Sequence, residues 1–275
     1  RPSIMNENKS VLEAVEPEVV EALVSRRDAL RKGFQFGSTA AAGLAFASVP
    51  VALAAFAGQV RAQGSPGIIA VLNFALTLEY LEDEFYRRGL ASSAAAAFTA
   101  GERAAIEQIS MHETAHVAFL QAVIGSMAST PVAKPTFDFT ARGNFPDVFT
   151  NKATFMAVAQ TLEDTGVRAY KGQAGAVQSS PGVLTAALQI HSVEARHASQ
   201  IRRLRGQKGW ITNADRGNLP AATQATYAGE DNTTHAGINA ASLGTNFGGT
   251  AAVTEAFDEP LTMAQVLAIA GPFIV

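Results

Sequence analysis

The chain has 275 residues, 48% hydrophobic and 16% charged, enough apolar material for a sizeable core in one domain with appendages. A formal net charge of −3 gives no electrostatic reason to expect a nucleic-acid partner, and the basic residues are scattered except for Arg202, Arg203 and Arg205. With no cysteine, disulfides and thiolate metal sites are excluded, so any metal must be held by oxygen and imidazole donors.

In chain order, the first feature is Ser25-Arg26-Arg27-Asp28-Ala29-Leu30, followed by an uncharged, Ala- and Gly-rich stretch from Gly33 to Gly58. Val60-Arg61-Ala62 then offers a small-residue cleavage site. The segment resembles a twin-arginine export signal, with Ala29-Leu30 standing where that motif usually has Phe-Leu. An uncleaved membrane anchor is the alternative, since the 26 residues from Gly33 to Gly58 are long enough to span a bilayer. So much Ala, Gly and Ser is only weakly hydrophobic, which favours export. Residues 1–62 are therefore expected to be an export signal with upstream residues. The location is expected to be periplasmic or secreted, with no stable membrane span after processing.

Ser65-Pro66 supplies a cap and a proline suited to a first helical position, opening a helix to about Gly89. Its apolar residues Phe74, Leu78, Leu81 and Phe85 recur at three and four, and Glu79 and Glu82 border that stripe. Thr99-Ala-Gly-Glu102 is a capping box for a second helix from about Ala100 to Ile124. Pro131, Pro135, Gly143 and Pro146 then forbid a single helix across the next stretch, which reads as a long crossover. A third helix is expected from about Asn151 to Val177, and Ser180-Pro181 repeats the opening cap for a fourth, ending near Arg205. Arg202, Arg203 and Arg205 would complement the negative end of that helix. Beyond Trp210 the Asn-, Thr-, Gly- and Ala-rich chain reads as an irregular tail, of ordered loops or partly flexible, rather than a second domain. It ends in a short helix opened by the capping box Thr262-Met-Ala-Gln265, whose Leu261, Val266, Leu267 and Ile269 are expected to dock on the bundle, contact with a partner being the alternative. The domains are thus 1–62, a bundle over 63–206, and an extension over 207–275.

Two Glu-x-x-His pairs, Glu113/His116 and Glu194/His197, lie on the second and fourth helices, and each follows a Thr-Leu-Glu, at Glu79 and Glu163. Residues i and i+3 share a helix face, so each pair can aim a carboxylate and an imidazole at one point. Glu163 follows Glu79 by 84 residues and Glu194 follows Glu113 by 81, so the chain reads as two helical hairpins in tandem. Four glutamates and two histidines suffice for two cations. Tyr86 and Tyr170 each stand seven residues past their glutamates, on the same face about 10 Å along the axis.

With these residues in register, the chain resembles the ferritin-like superfamily, and within it exported ferritin-like proteins related to plant and bacterial desiccation-related proteins. The resemblance covers about residues 65–206 and extends to Ala256-Phe257-Asp258-Glu259-Pro260-Leu261. It implies an all-α fold, a ferritin-like four-helix bundle with the long crossover between the second and third helices. It also implies a ligand order that assigns Glu79, Glu113, His116, Glu163, Glu194 and His197 to a dinuclear centre of iron or manganese, with zinc suiting the same donors. The activities implied use O₂ or peroxide, in ferroxidase, peroxide-detoxifying or oxygenase chemistry, in oxidative or desiccation stress. A non-catalytic stress scaffold with a structural or vacant metal site is the alternative, and homo-oligomerisation stays open.

Four inward glutamates with two histidines are costly inside a bundle, several kcal/mol per unpaired ion, unless metal or protons neutralise them. Glu82, one turn past Glu79, is an extra ligand peculiar to one hairpin, since its repeat partner is Gly166, or an exposed partner of Arg87 or Arg88. His191 is an added ligand or a supporting residue, while His112, beside Glu113, points about 100° away and reads as structural. Tyr86 and Tyr170 either hydrogen-bond ligating carboxylates, supply an oxidisable phenol, or fill the core. His235 is assigned no role.

Overall fold

The computed structural model describes residues 66–275 with the exception of Phe247. The predicted export segment, and Ser65 as the first cap, lie outside the described residues. Four long helices form the bundle: α1 (Pro66–Leu90), α2 (Ala100–Ser126), α3 (Lys152–Gln173) and α4 (Pro181–Leu204). Helix α1 packs along α2, and α3 along α4, giving the two tandem hairpins that the repeat implies.

Local chemistry sets most of the boundaries. Thr99 and Glu102 close both arms of the capping box, Thr99 N to Glu102 Oε2 at 2.7 Å and Glu102 N to Thr99 Oγ1 at 3.2 Å. Lys152 at the head of α3 reaches the same Glu102 at 2.7 Å, pinning the two helix starts together. Asn151 caps α3 by accepting from Ala153 N at 2.9 Å. Two expectations need correction. Ser180 holds the cap position of α4 without a side-chain hydrogen bond, so proline alone marks that start. The last turn of the third helix, Ala174–Val177, is a tighter 3₁₀ turn.

The crossover is built on aromatics. Phe137, Phe139 and Phe145 are buried, and Phe139 lies 5.6 Å from Phe85 of α1. Phe85 in turn stacks on Phe155 of α3 at 4.7 Å. A Cβ at Gly89 would come within 2.1 Å of the Phe155 ring, so only glycine lets α1 and α3 approach here. The chain end returns to the crossover: Asp138 N donates to Phe273 O and Val275 N to Thr136 O, at 2.9 and 3.0 Å.

Every residue of α3 from Phe155 to Tyr170 is buried, where an amphipathic helix would keep a wet face. The cause is the extension after residue 206, which covers the outer side of α3. It is a string of short helical pieces, including α5 (Gln224–Tyr227), α6 (Gly249–Thr254) and α7 (Met263–Ala270), with a two-residue hairpin of β1 (Thr234–His235) and β2 (Ile238–Asn239). Arg168 of α3, 1% exposed, donates to the carbonyls of Thr226, Ala228 and Glu259 and pairs with Glu230 at 2.8 Å. Leu261 runs so close to α3 that a Cβ on Gly172 would clash with its carbonyl oxygen. Leu261 and Val266 are buried and Ile269 packs against the core, as expected, but Leu267 is 43% exposed and does not dock. Arg202 also departs from its expected role at the helix end. It is buried in a fork to Asp164, at 2.8 and 3.0 Å, and Tyr227 OH donates to the same carboxylate at 2.7 Å.

Candidate metal centre

All four bundle helices contribute to one buried polar cluster. Glu79 comes from α1, Glu113 and His116 from α2, Glu163 from α3, and Glu194 and His197 from α4. The four glutamates are 0% exposed. Their donor atoms form two overlapping groups, Glu79/Glu113/His116/Glu194 and Glu113/Glu163/Glu194/His197, each with ligand atoms within 4.8 Å of one another. Glu113 and Glu194 belong to both groups. His116 Nδ1 lies 3.1 Å from Glu79 Oε2, 3.1 Å from Glu113 Oε2 and 3.3 Å from Glu194 Oε1. His197 Nδ1 lies 2.8 Å from Glu113 Oε1 and 3.3 Å from Glu163 Oε2. The sequence thus brings its six expected ligands to one place, in a near two-fold arrangement of the hairpins.

The cluster does not satisfy itself. Although His197 Nδ1 and Glu113 Oε1 are close, their geometry is not that of a hydrogen bond, and both atoms are buried without a partner. Glu163 Oε2 and both oxygens of Glu194 are orphaned in the same way. Buried oxygens that converge without donors fit a cation better than they fit one another. The donor set of carboxylate and imidazole suits iron, manganese or zinc.

Electrostatics point the same way. Burial pushes Glu113 up to about 7, although the His116 imidazole hydrogen-bonds to it at 3.1 Å and the His197 ring lies close by. Glu194 is raised well above the carboxylate range by burial and then by Glu113 and Glu79. Burial alone would raise Glu79 and lower His116. Their mutual attraction outweighs it, holding the acid below and the imidazole well above its ordinary range. His197 likewise overcomes burial, with Glu163 and Glu113 carrying it to about 11. Positive charge is what this cluster demands.

The tyrosines meet the carboxylates across the hairpins. Tyr86 OH of α1 donates to Glu163 Oε1 of α3 at 2.5 Å, and Tyr170 OH of α3 donates to Glu79 Oε1 of α1. Burial, followed by the Glu163 and Glu79 charges respectively, raises both phenols far above their usual range, so each stays a neutral donor. Of the two readings of Glu82, the exposed one fails. Glu82 is buried, while Arg87 pairs with Asp83 at 2.7 Å and Arg88 with Glu84 at 3.6 Å. Gly166 makes room for it: a Cβ there would sit 2.9 Å from Glu194 Oε2 and 3.3 Å from Glu82 Oε1. Burial and then Glu194 and Glu163 push Glu82 well up.

His191 falls outside both donor groups and is not brought into the site, its imidazole pushed down by burial and then by Lys171. His112, read from sequence as structural, does reach the site. Its Nδ1 lies 2.9 Å from His197 Nε2, the rings stack at 5.1 Å, and Gln108 approaches its other nitrogen at 2.7 Å. The signal was available only across helices, since the position matching His112 in the second hairpin is Val193.

A small apolar cavity of about 30 Å³ is lined among others by Phe74, Leu78, Phe119, Leu120, Tyr170 and Ile190. It lies between the four helices and shares Tyr170 with the Glu79 hydrogen bond. Among the described residues no helix is long and apolar enough to cross a membrane. Comparison with curated proteins gives no match. The family model described as a ferritin-like domain matches residues 67–207, spanning the whole bundle and its ligand set. The chain therefore belongs to the ferritin-like domain family.

Proposed function

We propose that this protein is an exported dinuclear metal protein. Glu79, Glu113, His116 and Glu194 hold one cation, and Glu113, Glu163, Glu194 and His197 hold the other, with Glu113 and Glu194 shared. The observation that carries this reading is the set of buried carboxylate oxygens with no hydrogen-bond partner, focused where two donor groups overlap. Iron or manganese bound there would supply two-electron redox chemistry toward O₂ or H₂O₂, one electron from each metal between its divalent and trivalent states, in protection against oxidative or desiccation stress.

The chain's own residues prepare that chemistry. Tyr86 and Tyr170 keep their protons and anchor Glu163 and Glu79, so the outer carboxylates are held in one orientation before a cation arrives. Glu82 is a fifth buried carboxyl, within reach of Glu194, that can hold a proton or join the ligand set. The small cavity beside Tyr170 is lined almost wholly by apolar side chains, an environment unfavourable to water. Export rests on the twin-arginine-like segment of residues 25–62, which supports a periplasmic or secreted location.

The double variant Glu113→Ala with Glu194→Ala removes both shared ligands and is expected to lose bound metal while keeping a helical circular dichroism spectrum. Full metal stoichiometry in that variant would remove the assignment. In the wild type, added H₂O₂ or O₂ is expected to be consumed by the iron- or manganese-loaded protein and not by the double variant.

A further inference from the structure

A second cavity, of about 380 Å³, lies on the outer side of the α3–α4 hairpin, between those helices and the segments around Trp210 and Phe257. That volume is within the range of small-molecule sites, about 300–1,000 Å³. Its wall includes Asp164, Ala195, Arg196 and Ala198, which alternate along the chain with Glu163, Glu194 and His197 of the metal cluster.

Most of its charges are already spent. Asp164 is taken by Arg202 and Tyr227. Glu255 accepts from Lys208 at 2.5 Å and from Thr212 at 2.6 Å. Two opposite charges are left over. Arg196 makes no ion pair or hydrogen bond among the described residues, and neither does the Asp258 carboxylate, whose backbone carbonyl alone engages Lys171. Two aromatic rings flank them. Trp210 is 45% exposed, and Phe257 is 40% exposed although one face stacks on His235 at 3.7 Å. Exposed aromatics beside an anion and a cation that make no ion pair or side-chain hydrogen bond among the described residues, the anion balanced only at longer range by Lys171, His191 and Arg202, form a platform for a charged ligand.

We propose that this cavity binds a small zwitterion, an amino acid or a betaine, with its ammonium end at Asp258 and the aromatic rings and its carboxylate on Arg196. A simple anion would meet Asp258 unpaired, a simple cation would leave Arg196 unpaired, and a neutral polyol would use neither charge. Burial, opposed by Lys171, raises the Asp258 carboxyl, a strain that an ammonium partner relieves. The site is independent of the metal assignment.

Calorimetric titration of the full chain with glycine betaine and with glycine tests this, using choline and glucose as comparison probes. Betaine or glycine is expected to bind one site per chain. Asp258→Asn and Arg196→Gln are each expected to weaken binding about tenfold or more, the value of one charge-assisted contact. Trp210→Ala is expected to weaken betaine more than glycine. Metal content per chain and thermal unfolding are expected to be unchanged in Asp258→Asn and Arg196→Gln, which separates this site from the cluster. Absence of binding by both zwitterions up to about 10 mM, glucose or choline binding as tightly as betaine, or unchanged affinity in both charge variants would overturn the proposal.

Discussion

The two ligand imidazoles do not have equal support. His197 Nδ1 faces the carboxylates while its Nε2 lies 2.9 Å from His112 Nδ1. With a cation on Nδ1, the proton of His197 must sit on Nε2 and be donated to His112, which fixes tautomer and ring plane together. Removing such a support typically weakens metal binding about 10–100-fold. His112→Leu is therefore expected to loosen one of two metal equivalents in chelator competition and leave the other tight. Equal retention of both would show that His112 only packs. Gly166 sets a second test at this scale. Alanine in a helix interior is worth about 1 kcal/mol over glycine, yet a Cβ here would crowd Glu194 and Glu82. Gly166→Ala is expected to raise helix propensity and still lower metal affinity, measured by the same competition; an unchanged affinity would show that the carboxylates have slack. Four of the six ligand positions were legible as i, i+3 pairs, a local rule of the helix, while Glu79 and Glu163 were legible from the tandem repeat and the family resemblance. The cross-helix partners, Tyr86 to Glu163 and His112 to His197, were not, because periodicity orders residues along a helix and is silent about which neighbour it meets.

At the scale of elements, α3 explains why the extension exists. A helix buried on all sides needs cover on both, and the bundle supplies only one. The cover is fastened by Arg168, whose guanidinium takes three backbone carbonyls and Glu230. Even with that partner, burial lifts Glu230 to about 7. Arg168→Ala would leave the buried Glu230 unpaired, a loss of about 3–5 kcal/mol by precedent for broken buried pairs. Urea unfolding is expected to show a midpoint shift of that order; a shift near zero would mean that the extension is not held by this contact. Composition could not reveal this fastening, because Asn-, Thr- and Gly-rich chain carries no periodicity and its contribution is mainly backbone carbonyls. The start of α2 was readable from its capping box and that of α4 from its proline, whereas Ser180 makes no capping bond, Asn151 rather than Thr150 caps α3, and Ser65 lies outside the described residues. The exposed Leu267 shows the limit of apolarity alone as a guide to docking.

For the whole molecule, the cluster links stability to pH. Glu113 titrates near 7 in the fold against an ordinary 4.5, so the folded state binds the extra proton between those values and stability falls as pH rises through them. His197 titrates near 11 against 6.5, so its contribution is complete below 6.5 and is lost as pH rises toward 11. Both act in one direction above pH 4.5, and the metal-free protein is expected to melt lower at about pH 8 than at about pH 5. Cations require deprotonated ligands, so the gain in melting temperature on adding Mn(II) is expected to grow over the same interval. A gain that is constant or shrinks with pH would contradict this assignment of the titrating groups.

The most direct test of the central claim is elemental analysis of the full chain, purified without added metal. The account predicts about two iron or manganese atoms per chain, as the shared donor groups imply. A chain with almost no metal, and none taken up when Fe(II) or Mn(II) is supplied, would contradict it.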